Sequence, residues 1–398
     1  MKRVYITTAL TCLAVLLVTT GCFKLMNLAG GMDHIKVGFI YDNDESTPYT
    51  YNFALAKDAL EEKYGEKIEV MSHSNVLDSE IEEPLRELAD AGCNIIFFNG
   101  YSDLVPQLAP EYPNIQFCQT SYMDMYGQTV PDNYHTFKGE AYQARYVSGI
   151  AAGMKIKQLI SEGIITEDQA KIGFVAAFQT SELTSGFTAF LLGARSVAPT
   201  TKLCVGYTGT WGSYAREKAV AEKLIDDGCV IITQHTDTIG PAIACEEASE
   251  AKKSVYFVGW CQSMSEVAPS TSIITARVCW EPYVLAATDA VMSEKSIESV
   301  VQARIHGTDA SAGFQYGWVE MLDYNQQVMA PGTEQAMNNA IELFKRDSID
   351  FVFRGNYTGV NADDPTDTID LRDGYKENEN TSYPLFNYIL DDVVTVLE

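Results

Sequence analysis

The chain has 398 residues, of which 46% are hydrophobic, and carries a formal charge of −26. That length accommodates two domains of ordinary size, and that apolar content supports a full core, which excludes a largely disordered chain. The acidic balance repels phosphate backbones and argues against nucleic-acid binding.

Lys2 and Arg3 open the chain, and an apolar, hydroxyl-rich stretch at 4–20 follows. It is too short for a comfortable membrane span and has the layout of a secretory signal. The stretch runs into VTTGC at 18–22. Small residues before a cysteine resemble a bacterial lipobox, in which Cys22 is lipidated and becomes the first residue of the mature chain. Thr19 departs from the usual leucine. The expectation is a signal peptide at 1–21, a lipid on Cys22 that tethers rather than spans, and a glycine-containing tether at 22–34. Cys12 falls within the signal, and the remaining seven cysteines are odd in number and show no C-x-x-C spacing. They read as small buried hydrophobes, and neither zinc nor thioredoxin-like chemistry is expected.

The predicted elements then come twice. IKVGFIY at 35–41 is an apolar run bounded by turn residues, the pattern of a buried strand, and KIGFVA at 171–176 repeats its KVGFIY 135 positions later. Helix-period segments follow at 53–64 and 186–197. Strands are expected at KIEV 67–70 and KLCV 202–205, again 135 apart. Next, LADAGCNIIFF at 88–98 and LIDDGCVIITQ at 224–234 leave a helix and enter a strand in nearly the same words. Gly92 and Gly228 are placed to end those helices in a left-handed turn. IQFC 115–118 pairs with VYFV 255–258, and YHTF 134–137 with ITAR 274–277, both 140 apart. Helical stretches at 142–154 and 283–292 close the two sets.

A duplicated strand–helix series implies an α/β fold: two Rossmann-like lobes with parallel sheets, facing each other across a crevice at the carboxyl ends of their strands. The first lobe is placed at 35–155 and the second at 156–296. The unrepeated part, 297–398, is shared between them as added strands and hinge crossings. It is expected to hold a strand at 314–321, a helix at 333–346, a strand at 349–353 and a polar surface excursion at 363–382.

Four stretches carry a family resemblance: KVGFIY 36–41, GFVAAF 173–178, LGARS 192–196 and QHTD 234–237. Together they resemble the basic membrane protein (BMP) lipoproteins, over about 35–291. The resemblance implies a solute-binding protein of an ABC transporter with a type I periplasmic-binding-protein fold and a purine nucleoside or nucleobase as ligand. It also implies a permease and an ATPase as partners, and a lipid-anchored, extracytoplasmic location. Purine-nucleoside members usually carry Asp after a Gly-x strand end and Lys after a later strand. Here the corresponding stretches read GWCQ 259–262 and RVCW 277–280, so the expectation leans toward a nucleobase or another small heterocycle.

Strand tips supply the candidate ligand contacts. Tyr49 and Tyr51 follow the first strand and Asn99 follows the strand at 95. In the second lobe Phe178, Trp211, Gln234, Asp237, Trp260 and Trp280 all fall at or just after strand ends. Aromatic faces stack on a flat ring at about 1–3 kcal/mol per base in nucleic-acid binders. Amides and a carboxylate can pair with the ring's edges. His235 reads as a structural histidine and is set aside. No nucleophile elbow, Walker loop, dinucleotide fingerprint or HExxH is present, so catalysis is not expected, and no cofactor or metal is called for. The expected mode of action is a monomer whose lobes close on the ligand and then dock on the permease; a membrane-tethered sensor for a signalling partner is the alternative.

Overall fold

A computed structural model describes residues 31–397; the signal stretch and Cys22 lie outside the described residues. The first lobe is built on β1 (Ile35–Ile40), α1 (Pro48–Tyr64), β2 (Ile68–His73), α2 (Glu82–Asp90), β3 (Ile95–Phe98), α3 (Leu104–Leu108), β4 (Gln116–Thr120) and β5 (Tyr134–Gly139). The chain continues with α4 (Ala141–Ser161), β6 (Lys171–Ala176), α5 (Ser181–Arg195), β7 (Lys202–Tyr207), α6 (Tyr214–Asp226), β8 (Ile231–His235), α7 (Gly240–Glu250), β9 (Tyr256–Trp260), β10 (Ser272–Val278) and α8 (Glu281–Met292).

The two sheets run β5-β4-β3-β1-β2 and β10-β9-β8-β6-β7, the same order, with every one of these neighbours parallel. The sequence repeat is therefore a structural repeat. Gly92 and Gly228 have φ of 84° and 89°. In each case the next amide reaches back to a carbonyl one turn earlier, Cys93 to Leu88 and Cys229 to Leu224. These are matching Schellman ends, which release the chain into β3 and β8.

The helices at 142–154 and 283–292 do not stay with the lobe that precedes them. α4 packs on α5 in the second lobe, and α8 packs on α1 in the first. The α4–α5 contact is close because glycines line it: a Cβ at Gly149 would lie 2.0 Å from the Phe190 carbonyl oxygen, and one at Gly193 2.0 Å from that of Tyr146. The expected boundary at 155 is thus corrected to the crossing after Gly139, and the chain crosses back after Val278.

The third crossing follows β11 (Arg304–His306) and β12 (Asp309–Ala312), which extend the first sheet beyond β5, and leads to β13 (Val319–Leu322), antiparallel to β10. The three crossings touch: Glu140 N donates to the Ala312 oxygen at 2.8 Å and Cys279 N to the Trp318 oxygen at 2.8 Å.

α9 (Thr333–Lys345) packs on α4. The remainder forms a small antiparallel sheet of β14 (Thr358–Asn361), β15 (Thr368–Asp370) and β16 (Tyr388–Leu390), and β17 (Val394–Val396) joins the outer edge of β7. Two expectations fail here. Residues 349–353 form no strand: Val352 and Phe353 are buried as core residues, Phe353 in a stack with Phe386. The polar stretch at 363–382 is not all surface, because Glu377, Asn378, Thr381 and Ser382 are buried and hydrogen-bonded. Among the described residues no helix is long and apolar enough to cross a membrane.

Candidate functional site

The strand tips of the two lobes enclose a cavity of ≈ 90 Å³ lined by Asp42, Tyr49, Asp78, Gly100 and Tyr101 from the first lobe and Glu182, Trp211, His235, Asp237 and Trp260 from the second. The lobes are in contact around it. Asn52 on α1 donates to the Cys261 carbonyl at 2.9 Å, and Lys138 on β5 pairs with Glu182 on α5 at 3.1 Å.

On the first-lobe side, Asp42 follows β1 directly. Its Oδ1 accepts from the Asn43 amide at 2.8 Å, the Thr50 hydroxyl at 3.0 Å and the Asn99 amide at 2.9 Å. Burial raises its pKa against these stabilising donors. Tyr49 sits in the first turn of α1 and donates to the Asn99 carbonyl at 2.8 Å. Asp78 accepts from the Tyr101 amide at 2.9 Å, and burial again raises its pKa.

The second-lobe side is aromatic. Trp260 ends β9, and the Arg145 guanidinium lies over its ring at 3.6 Å. Arg145 is fully buried, donates to the Gln234 carbonyl at 2.9 Å, and is lowered to about 9 by burial. His235 lies 4.7 Å from Trp260 and 6.2 Å from Trp211 between ring centroids. Burial, then the neighbouring Arg145 and Lys138, push its pKa well below the usual 6.5, so it is neutral.

Asp237 is the half-buried end of a braced loop. Its amide donates to the Trp211 carbonyl at 2.9 Å. The buried Glu217 takes the Thr238 amide at 3.1 Å and hydroxyl at 2.7 Å, and Gln234 Nε2 donates to the Thr236 and Thr238 carbonyls at 2.9 and 2.7 Å. The Asp237 carboxylate itself takes no hydrogen bond from the described residues. Burial, then Asp42, Glu217 and Glu182, raise its pKa well above 3.8.

Four of the nine expected contacts, Tyr49, Trp211, Asp237 and Trp260, are brought together on this cavity. Asn99 and Gln234 stand behind it: both are fully buried and hold Asp42 and the Asp237 loop in place. Trp280 is core, 3% exposed and packed on Phe53, Phe137 and Tyr49. Tyr51 is 37% exposed and outside the cavity. Phe178, 39% exposed, supports Trp211 edge-on at 5.8 Å instead of lining the wall. His235, set aside in the sequence, is on the wall. Asp42, the first residue past β1, and Glu182, in the first turn of the helix after β6, follow the same strand-tip rule and were legible on it. Tyr101, just past β3, follows it too, whereas Asp78 does not, since it comes from the short turn before α2. Among the described residues no cluster of His, Cys, Asp or Glu could hold a metal ion.

The family model described as "ABC transporter substrate-binding protein PnrA-like" matches residues 35–327. A purine-binding protein of Brucella abortus is 29% identical over 278 residues, covering 69% of this chain and 73% of the relative. A putative ABC transporter glucose-binding protein of Haloferax volcanii is 28% identical over 314 residues, covering 75% and 72%. Among solved structures, an ABC transporter solute-binding protein of Conexibacter woesei superposes with a TM-score of 0.59 at 16% identity, over 79% of this chain and 97% of that one. One from Aeropyrum pernix gives 0.60 at 17%, over 79% and 88%. These two share the fold.

Proposed function

Because the chain belongs to the PnrA-like family of ABC transporter substrate-binding proteins, we propose that it captures a purine nucleobase, or a closely similar flat nitrogen heterocycle, between its lobes and delivers it to an ABC importer. It is an extracytoplasmic binding protein and not an enzyme. The observation that carries the ligand reading is the cavity wall. Two indoles and an imidazole from one lobe face two tyrosines and two carboxylates from the other, with the Asp237 carboxylate on the wall unpartnered among the described residues. Aromatic faces take the ring, and Asp42 and Asp237 accept its N–H groups from opposite sides. The relative from Brucella abortus is named a purine-binding protein, which agrees with this chemistry.

Arg277 favours a nucleobase over a nucleoside. It is occupied by Glu281 and Glu320, both at 2.7 Å, and is not free to hold a ribose. A ligand that touches both walls only when the lobes are shut stabilises the closed state by that difference in affinity. The protein acts as a monomer, tethered to the membrane through a lipid on Cys22.

Mass spectrometry of the molecule that co-purifies, followed by calorimetry with adenine, guanine, adenosine, guanosine, thiamine and glucose, tests the reading. A nucleobase should bind tightest, at about micromolar or better, near −8 kcal/mol. Tightest binding of glucose, or no heat with any purine, would overturn it.

A further inference from the structure

The family match ends at residue 327, yet the chain after it reaches the cleft. Residues 381–384 span both lobes within four positions. On the first-lobe side, Asp309 of β12 accepts from the Ser382 amide at 2.6 Å and the Thr381 hydroxyl at 3.2 Å. On the other side, Ser181 of α5 donates to the Pro384 carbonyl at 2.9 Å, and Ser185 of α5 to the buried carboxylate of Glu377 at 2.6 Å. That carboxylate also takes the Leu385 amide at 2.7 Å.

Between these anchors Tyr383 is 6% exposed, and its ring lies 5.3 Å from the Lys138 ammonium. The Tyr101 ring lies 5.2 Å from the same ammonium. Lys138 donates to the Tyr101 hydroxyl at 3.2 Å and the Ser121 carbonyl at 3.3 Å, and it pairs with Glu182 at 3.1 Å. Lys138 is outside the cavity wall but touches one wall residue from each lobe, Tyr101 and Glu182.

We infer that residues 377–385 form an interlobe strap and that Lys138, clasped between Tyr101 and Tyr383, is the positioning residue that neutralises Glu182 and so permits the cleft to close around it. The inference rests on the reading that this cavity is the ligand site. The side chains of Lys138 and Glu182 are 6% and 13% exposed. Opening the lobes separates the two ions and returns them to water, so the intact pair adds little net bias. Removing one partner is different, because it leaves the other charge unpaired and buried in the closed state alone. The Tyr101 hydroxyl, which accepts from Lys138, and the Tyr383 ring both favour a cation at that position.

The test uses the full mature chain. Small-angle X-ray scattering without ligand should show a larger radius of gyration for Lys138→Met and for Glu182→Gln. The double variant should return to the wild-type radius, and Lys138→Arg should keep it. With adenine as probe, stopped-flow dissociation should be about tenfold faster in Lys138→Met and a smaller multiple faster in Tyr383→Leu. Association should be little changed in either. Unchanged radii in the single variants, or a double variant more open than either, would overturn this role of Lys138. If the wild type binds neither adenine nor any other purine, the purine reading fails, while the scattering order still decides the role of Lys138. Should Lys138→Met not fold, Glu182→Gln and Tyr383→Leu carry the same comparison.

Discussion

The two walls of the cavity stand on the same five-strand scaffold and are equipped differently. On the first-lobe wall the carboxylate of Asp42 is held by three donors. On the second-lobe wall the carboxylate of Asp237 is held by none of the described residues, although its backbone is braced by Trp211, Gln234 and Glu217. Duplication set where side chains can reach the crevice; what each one does there is decided by its local partners. Asp42 is a fixed acceptor. Asp237 is an acceptor with no donor among the described residues, and it stands beside the indoles that would hold a ring flat.

The largest effect expected from breaking this contrast is at Trp260. Trp260→Ala removes a buried indole and uncovers the Arg145 guanidinium, so chemical denaturation should show a loss of about 3–5 kcal/mol, with ligand binding lost as well. The sharpest test is to compare Asp42→Ala with Asp237→Ala. Both should weaken binding by calorimetry, by about 1–3 kcal/mol. Asp42→Ala should also cost about 1–3 kcal/mol of stability, because the Asn43, Thr50 and Asn99 donors are stranded. Asp237→Ala strands no donor and should leave stability unchanged or raised. Equal stability losses would erase the difference between the walls.

The next effect lies in pH dependence without ligand. The folded value of Asp237 stands above its ordinary 3.8, so the folded state holds that proton more tightly. Its contribution is complete below 3.8 and is lost as pH rises through the folded value. His235 has the opposite sign: its folded value stands below 6.5, and stability is lost as pH falls from 6.5 toward it. Urea unfolding from about pH 4 to 8 should therefore show a flatter alkaline decline in Asp237→Asn and a flatter acid decline in His235→Gln. The smallest effect is at Tyr51, exposed and off the wall, where Ala should change stability and affinity by no more than about 0.5 kcal/mol.

The repeat was readable because strand and helix periods are local. β1 begins at Ile35 and β6 runs from Lys171 to Ala176, both as expected. Which lobe α4 and α8 pack on was not readable, since α4 is placed by glycines meeting carbonyls of α5 and α8 by packing on α1, far away in sequence. The strand-tip rule found Tyr49, Trp211, Asp237 and Trp260, yet it could not separate a side chain facing the crevice from one facing the core. Trp280 is the case in point: it follows β10 as Trp260 ends β9, but it packs among Phe53, Phe137 and Tyr49. The strap at 377–385 was hidden for a related reason. Its polar residues read as surface until Asp309, Ser181 and Ser185, distant in sequence, satisfy them.

A crystal structure of the mature chain with adenine tests the central claim most directly. The account predicts the ring against Trp211 and Trp260, within hydrogen-bond reach of Asp237 on one edge and Asp42 on the other, so that a single ligand touches both lobes. A ligand contacting one lobe only, or lodged away from these strand tips, would contradict it.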